Sequence, residues 1–229
     1  MKANRLVLLA AATASAIALT GCTPAGDVAV EVGKVKYSTS DVDLLTTFQC
    51  EIASDPNAGA GALSRQSARA FMASILVASA LDGQIGEKYK VKAGPADAAS
   101  SMEQLNSFID KAATGDDRKR LRTIVEDSII GQVAVSTVVQ QAIGQSLQQM
   151  SQEQAQQAIQ EGITKLRLDA AKSADIEVDP VYGLSADGLE PAKTDPSLSR
   201  ALSDFAKESM KAPVDQAWLE KLPANQRCS

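Results

Sequence analysis

Val28-Ala-Val-Glu-Val-Gly-Lys-Val-Lys-Tyr-Ser-Thr-Ser-Asp-Val-Asp43 is the stretch whose reading decides the fold. From Val28 to Tyr37 apolar and polar residues alternate about Gly33, the pattern of a short β-hairpin or bent strand with one buried face. Ser40 is then expected to cap a helix, with Asp43 three positions on as a variant of the capping box. Val42, Leu45, Phe48 (with Leu44) and Ile52 recur at helical spacing and give that helix one apolar face. Asp55-Pro-Asn-Ala-Gly-Ala-Gly61 breaks it and reads as a loop.

Helical periodicity continues outward from this start. A long helix is predicted from Ser64 to Tyr89, with Ala68, Phe71, Met72, Ile75, Leu76, Ser79 and Ile85 along its apolar stripe. Gly94-Pro95 breaks it and places proline in the first turn of another helix, which reaches about Ala113. Thr114-Gly-Asp-Asp opens a further helix expected from about Asp117 to Gln149, and acidic residues at its start suit the helix dipole. Its apolar set includes Leu121, Ile124, Val125, Ile129, Val133, Val135, Val138 and Ile143. Ser151-Gln-Glu-Gln154 is a capping box for a helix that ends near Ser173.

The character changes after that helix. Ile176-Glu-Val178 reads as a short strand stopped by Pro180, followed by turns at Asp187-Gly188 and Glu190-Pro191. Two small helical pieces follow, near Ser197–Met210 and Val214–Leu222. Strands at both ends with helices between them are expected to pair. The fold class is therefore mainly α, a helical bundle with short amino- and carboxyl-terminal β-strands.

Composition agrees with this class and narrows the chemistry. The chain has 229 residues, of which 45% are apolar and only 3% aromatic, a balance that favours helices over a β-sandwich. It contains no histidine, which excludes Ser-His-Asp hydrolases, Cys-His proteases, His-ligated zinc and histidine general bases. No carboxylate pair stands in a motif that fixes a catalytic geometry. Asp41 and Asp43 read as a cap, and Asp175, Glu177 and Asp179 as the exposed face of a strand. No phosphate loop, dinucleotide fingerprint or clustered metal ligands occur, so neither enzyme activity nor a cofactor or metal is expected. A net charge of −5 argues against nucleic acid as a partner.

Three further features carry bland readings beside functional ones. The glutamines from Gln140 to Gln160 read as the solvated side of two helices, with an adaptable hydrogen-bonding surface as the alternative. Asp116-Asp-Arg-Lys-Arg120-Leu-Arg122 reads as a solvated helix start. Met72, Met102, Met150 and Met210 read as core filling, with plastic contact to varied apolar partners as the alternative.

The amino terminus gives an address. Lys2 and Arg5 precede an apolar run from Leu6 to Leu19, too short to span a bilayer, which takes about 20 residues. The run ends in Leu19-Thr20-Gly21-Cys22, which resembles a bacterial lipoprotein signal with its lipobox. The resemblance implies a signal peptide over residues 1–21, a diacylglyceryl group on Cys22, a tether over residues 22–27 and a folded domain over residues 28–229. It places the protein on the extracytoplasmic face of the cell membrane, held through acylated Cys22; the alternative is an ordinary secretory signal with a cysteine at its end. With Cys22 taken by lipid, Cys50 and Cys228 are an even pair in an oxidising compartment and are predicted to form a disulfide. Two unpaired, buried thiols are the alternative.

The hairpin followed by Tyr37-Ser-Thr-Ser-Asp-Val-Asp43, and the closing Ile176-Glu-Val-Asp-Pro-Val-Tyr-Gly183, resemble the SurA-like amino-terminal domain of extracytoplasmic foldase chaperones and related lipoproteins. The resemblance implies a mostly helical chaperone module whose terminal segments come together. Family members that isomerise prolyl bonds carry an inserted parvulin domain. Here Ile176 follows almost at once on the helix ending near Ser173, so no such domain fits between them. The function expected is an ATP-independent, membrane-tethered binder of unfolded or secreted polypeptides without prolyl isomerase chemistry. The alternatives are a structural or adaptor lipoprotein that docks one specific envelope protein, and a small-ligand carrier.

Overall fold

A computed structural model describes residues 27–57, 63–192 and 215–228. The expected signal and tether, the end of the Asp55–Gly61 loop and the helix near 197–210 lie outside the described residues. The fold begins with the hairpin: β1 (Val28–Val32) and β2 (Val35–Ser38) pair antiparallel about Gly33, whose φ of +62° suits glycine. β4 (Ile176–Val178) adds to the free side of β1, with Val178 opposite Val30 and Ile176 opposite Val32, so the sheet order is β2-β1-β4. Paired on both edges, β1 is the central strand, and its Val30 and Val32 are fully buried. A second sheet, of two residues per strand, pairs β3 (Leu63–Ser64) with β5 (Arg227–Cys228).

α1 (Thr39–Ser54) starts two residues earlier than a cap at Ser40 implies. Ser38, not Ser40, is the N-cap: the strand runs on to Ser38, whose extended backbone (φ −85°, ψ 165°) is the geometry a cap requires. The Ser38 hydroxyl accepts from the Asp41 amide at 3.2 Å, and the Asp41 carboxylate accepts from the Ser38 amide at 2.9 Å. Ser40 lies within the first turn and its hydroxyl meets that of Ser38 at 2.7 Å. Two overlapping Ser-x-x-Asp patterns were open, and the end of the strand chose between them.

α2 (Arg65–Tyr89) is capped by the Ser64 hydroxyl, which accepts from the Ser67 amide at 3.0 Å, and ends at Lys90 in the left-handed region. Ala68, Met72, Ala73, Leu76, Val77, Leu81 and Ile85 are buried along it. Phe71 corrects the expected stripe: it is 50% exposed, because at 100° per residue it points roughly opposite the buried Ala73 and Ala80. α3 (Pro95–Ala112) places Pro95 in the first turn and buries Ala98, Met102 and Ile109.

α4 (Gly115–Ile143) buries Leu121, Ile124, Val125, Val135 and Val138, while Ile129, Val133 and Ile143 are partly buried. It stops at Ile143 rather than Gln149. Gly144 leaves the helical region with φ +59° and ψ −136°, and residues Gly144–Gln149 form a tighter 3-10 turn. α5 (Gln152–Ala171) has the expected capping box, with Ser151 and Gln154 bonding each other's backbone amides. The glutamines between Gln140 and Gln160 are exposed. Met72 and Met102 fill the core, Met150 is partly exposed, and Met210 lies outside the described residues.

After β4, Asp179 caps the 3-10 turn Pro180–Tyr182 and Tyr182 is buried in the main core. Leu184 bridges to Pro191 across the turn at Gly188. Near the carboxyl end, α6 (Gln216–Leu219) occupies part of the expected 214–222 piece, and Trp218, Leu219 and Leu222 form a small cluster. The main core lies between the three-stranded sheet and α1 to α4. A second cluster, Ile85, Val135, Val138, Val139 and Ile163, is closed over by α5. Among the described residues no helix is long and apolar enough to cross a membrane.

Candidate functional site

α5 is the element on which the candidate surface is built, and three side-chain contacts seat it. Ile163, its one fully buried residue, enters the second cluster with the partly buried Ile159, Leu166 and Ala170 at helical spacing. Gly162 lies directly over Val139 of α4: a Cβ there would stand 2.5 Å from a Val139 methyl. The Arg167 guanidinium donates two bonds to the buried Asp82 of α2, at 2.8 and 2.6 Å. Burial pushes the Asp82 carboxyl up from the ordinary carboxylate range, opposed by the hydrogen bonds and charge of Arg167.

A second fork fixes the other side of the bundle. Arg120 of α4 donates to Asp41 at 2.7 and 2.9 Å, so the capping box of α1 is also an ion pair with α4. Burial pushes the Asp41 carboxyl up, but the Arg120 and Ser38 hydrogen bonds outweigh it and hold the group below its ordinary value. The expectation that residues 116–122 are only a solvated helix start is corrected here: Arg120 turns back across α1. Tyr37 faces the same region, and burial raises its phenol above the usual range, countered by the Ser79 hydroxyl.

With α5 held in this way, its carboxyl-terminal half and that of α2 leave an open groove of about 370 Å³. Gln84, Ile85, Tyr89, Leu166, Ala170 and Ala174 line it. On the outer side of α5 lies a shallow shelf of about 530 Å³ formed by Gln160, Thr164, Leu168 and Lys172. Asp169 borders both. Lys172 donates to its carboxylate at 2.7 Å, and that bond, with the charges of Lys172, Lys165 and Lys88, holds Asp169 below the ordinary range. Tyr89 is half-exposed at the lip of the groove, and Leu168 is 38% exposed on the shelf. A further depression of about 560 Å³ between α2 and α4 has a floor of small residues, Gly83, Gly86, Gly131 and Ala134.

These surfaces are open to solvent and combine aliphatic, aromatic, amide and ammonium groups. That chemistry suits reversible contact with a polypeptide: apolar area is buried while polar neighbours satisfy the backbone. Among the described residues no three acidic or thiol side chains gather to hold a metal ion. Asp43 is exposed and pairs with Arg69 at 3.1 Å, and Asp179 caps the following turn. Of the carboxylates singled out in the sequence, Asp41, Asp43 and Asp179 serve caps and ion pairs, while Asp175 and Glu177 are exposed before and on β4.

Of the predicted site residues, Cys22 lies outside the described residues. Cys50, in the last turns of α1, is joined by a disulfide to Cys228 of β5, with their Cα atoms 4.5 Å apart. The bond holds the carboxyl end against α1 while β5 pairs with β3 beside the start of α2. Sequence reasoning missed Tyr89, Leu168 and the lysines around Asp169. A signal existed for Leu168: it stands off the Ile159-Ile163-Leu166-Ala170 stripe. An apolar residue outside a helix's stripe faces solvent or a partner. Comparison of the chain with protein-family models, curated proteins and solved structures finds no match in any of the three.

Proposed function

We propose that the protein is a membrane-anchored, extracytoplasmic, SurA-like module that binds unfolded or secreted polypeptides without ATP and without prolyl isomerase chemistry. Acylated Cys22 would tether it, since two acyl chains give stable anchoring where one gives only marginal binding. The observation that carries the reading is the open α2–α5 groove with half-exposed Tyr89 at its lip and Leu168 on the adjoining shelf. Such a surface binds through buried apolar area and adaptable polar contacts, which selects weakly among sequences. The pairing of β1 with β4, which brings distant segments of the chain into one sheet, supports the SurA-like fold assignment.

A second reading is an adaptor lipoprotein that docks one folded envelope protein. The two bidentate ion pairs and the disulfide favour it, because a rigid surface suits one complementary shape. The two are separated by the aggregation of a chemically unfolded client, followed by light scattering with the form lacking residues 1–22. The proposal expects slower aggregation at several-fold molar excess. Unchanged aggregation, with one folded partner recovered at fixed stoichiometry, would establish the adaptor instead.

A further inference from the structure

The chain enters its fold beside an apolar tip that the core does not use. Thr39 donates its amide to the Asp27 carbonyl at 2.7 Å, and Asp179 donates to that of Ala29 at 2.9 Å. The starts of β1 and α1 and the Pro180–Tyr182 turn therefore lie together at one end of the molecule. Gln66, in the first turn of α2, donates to the Val181 carbonyl at 3.3 Å and puts the start of α2 there too. Within the turn Tyr182 is buried in the main core and Pro180 is exposed. Val181, at 56%, is the most exposed large apolar side chain among the described residues. A single exposed valine is ordinary on a protein surface; its place is not. Four residues, Thr23 to Gly26, separate Cys22 from Asp27, and the connection reaches no more than about 20 Å when extended.

We infer that the Pro180–Val181 tip is the membrane-facing contact of the anchored protein, resting among the headgroups of a neutral, zwitterionic bilayer. The inference rests on acylation of Cys22, proposed above, and adds the orientation that the anchor alone leaves open. Around the turn Arg65 and Arg69 stand against Asp27, Asp43 and Asp179, a near balance rather than the cluster of cations that holds anionic lipid. One valine and one proline bury little area. The acyl chains keep them at the surface, so a weak contact suffices to choose between orientations. From this end β1 and α2 run side by side, and Gln84 donates to the Val32 carbonyl at 3.3 Å. Tyr89 lies about 35 Å along α2 from Gln66, at about 1.5 Å per residue. The α2–α5 groove is thereby held at the far end of α2, clear of the lipid.

The test uses the lipidated chain in phosphatidylcholine vesicles whose acyl chains are brominated close to the headgroups. A fluorescent amino acid with an aminonaphthalene side chain replaces Val181, Tyr89 or Phe71, the last being exposed in the first half of α2, one position at a time. Position 181 is expected to lose emission to the bromines, and position 89 to keep it. Quenching that is strongest at position 71 or 89 would lay the body on its flank and overturns the inference. In a second measurement, energy transfer from position 89 to an acceptor in the headgroup layer is expected to rise in V181D, as the freed body tilts. Unchanged transfer in a V181D shown by circular dichroism to be folded overturns Val181 as the contact; if V181D is unfolded, the quenching alone decides. Mass spectrometry that finds no lipid on Cys22 overturns the anchor and this inference with it. Lipid on Cys22 with position 181 unquenched overturns this inference alone.

Discussion

Asp82 is a carboxylate taken out of water and answered by one guanidinium, and such pairs cost most when one partner is removed. D82A leaves Arg167, itself largely buried, without its counter-charge. It is expected to lower stability by about 3 kcal/mol in urea unfolding, because an unpaired buried charge is the penalty. Asp41 behaves differently because its carboxyl is held below the ordinary range. A group with a lowered folded value adds stability above its unfolded value, 3.8, and loses that contribution as pH falls through the folded one. D41N is therefore expected to cost about 1 kcal/mol at neutral pH, through the weakened cap and ion pair. Its gap to the unchanged protein should close as pH drops below about 4. Neither pair was legible in the sequence: Asp41 meets Arg120 across 79 positions and Asp82 meets Arg167 across 85. Local pattern has no term for such a meeting, and Arg120 sits in a run whose charges look uniformly solvated.

At the scale of elements, periodicity identified what local chemistry controls and erred where tertiary contact decided. The helices over Arg65–Tyr89, Pro95–Ala112 and Gln152–Ala171 carry their own stripes, caps and breakers, and their bounds follow from them. The cap of α1 was misplaced by two residues because pairing with β1 extends the strand to Ser38. The end of α4 was overextended because Gln and Leu after Gly144 are good helix formers, while the positive φ of Gly144 turns the chain. Gly162 shows the opposite relation, a residue poor for helix propensity kept where α5 must approach α4. G162A gains about 1 kcal/mol of helix propensity but drives a methyl into the stiff, branched side chain of Val139. The clash is expected to dominate, with a net loss of about 1–2 kcal/mol in thermal unfolding. Adding V139A to G162A should recover part of that loss, whereas V139A alone should be destabilising.

For the whole molecule, the sequence conveyed a mainly helical chain whose strands come from distant segments, and the three-stranded sheet joins Val28–Val32 to Ile176–Val178. It did not convey β3 and β5, since strands of two residues have no periodicity to read. Nor did it convey the groove, which exists only once α5 is laid beside α2. The disulfide spans 178 positions, and in the chain-entropy model closing so long a loop contributes up to about 5 kcal/mol. Trp218, the chain's one tryptophan, lies in the tail that the bond retains and is largely buried, so it reports on that tail directly. C228S is expected to lower the unfolding midpoint and shift tryptophan emission to longer wavelength. An unshifted spectrum would mean that packing alone holds the tail.

The central claim is that the α2–α5 groove binds unfolded polypeptide. Its most direct test places a photo-crosslinking phenylalanine analogue at Tyr89 and, as a control, at the exposed Glu153 near the start of α5. Each protein is irradiated with a client of known identity, either unfolded or native. The account expects crosslinks from position 89 to the unfolded client, few to the native one and few from position 153. Equal yields from both positions, or crosslinks from position 89 only to the native client, would contradict it.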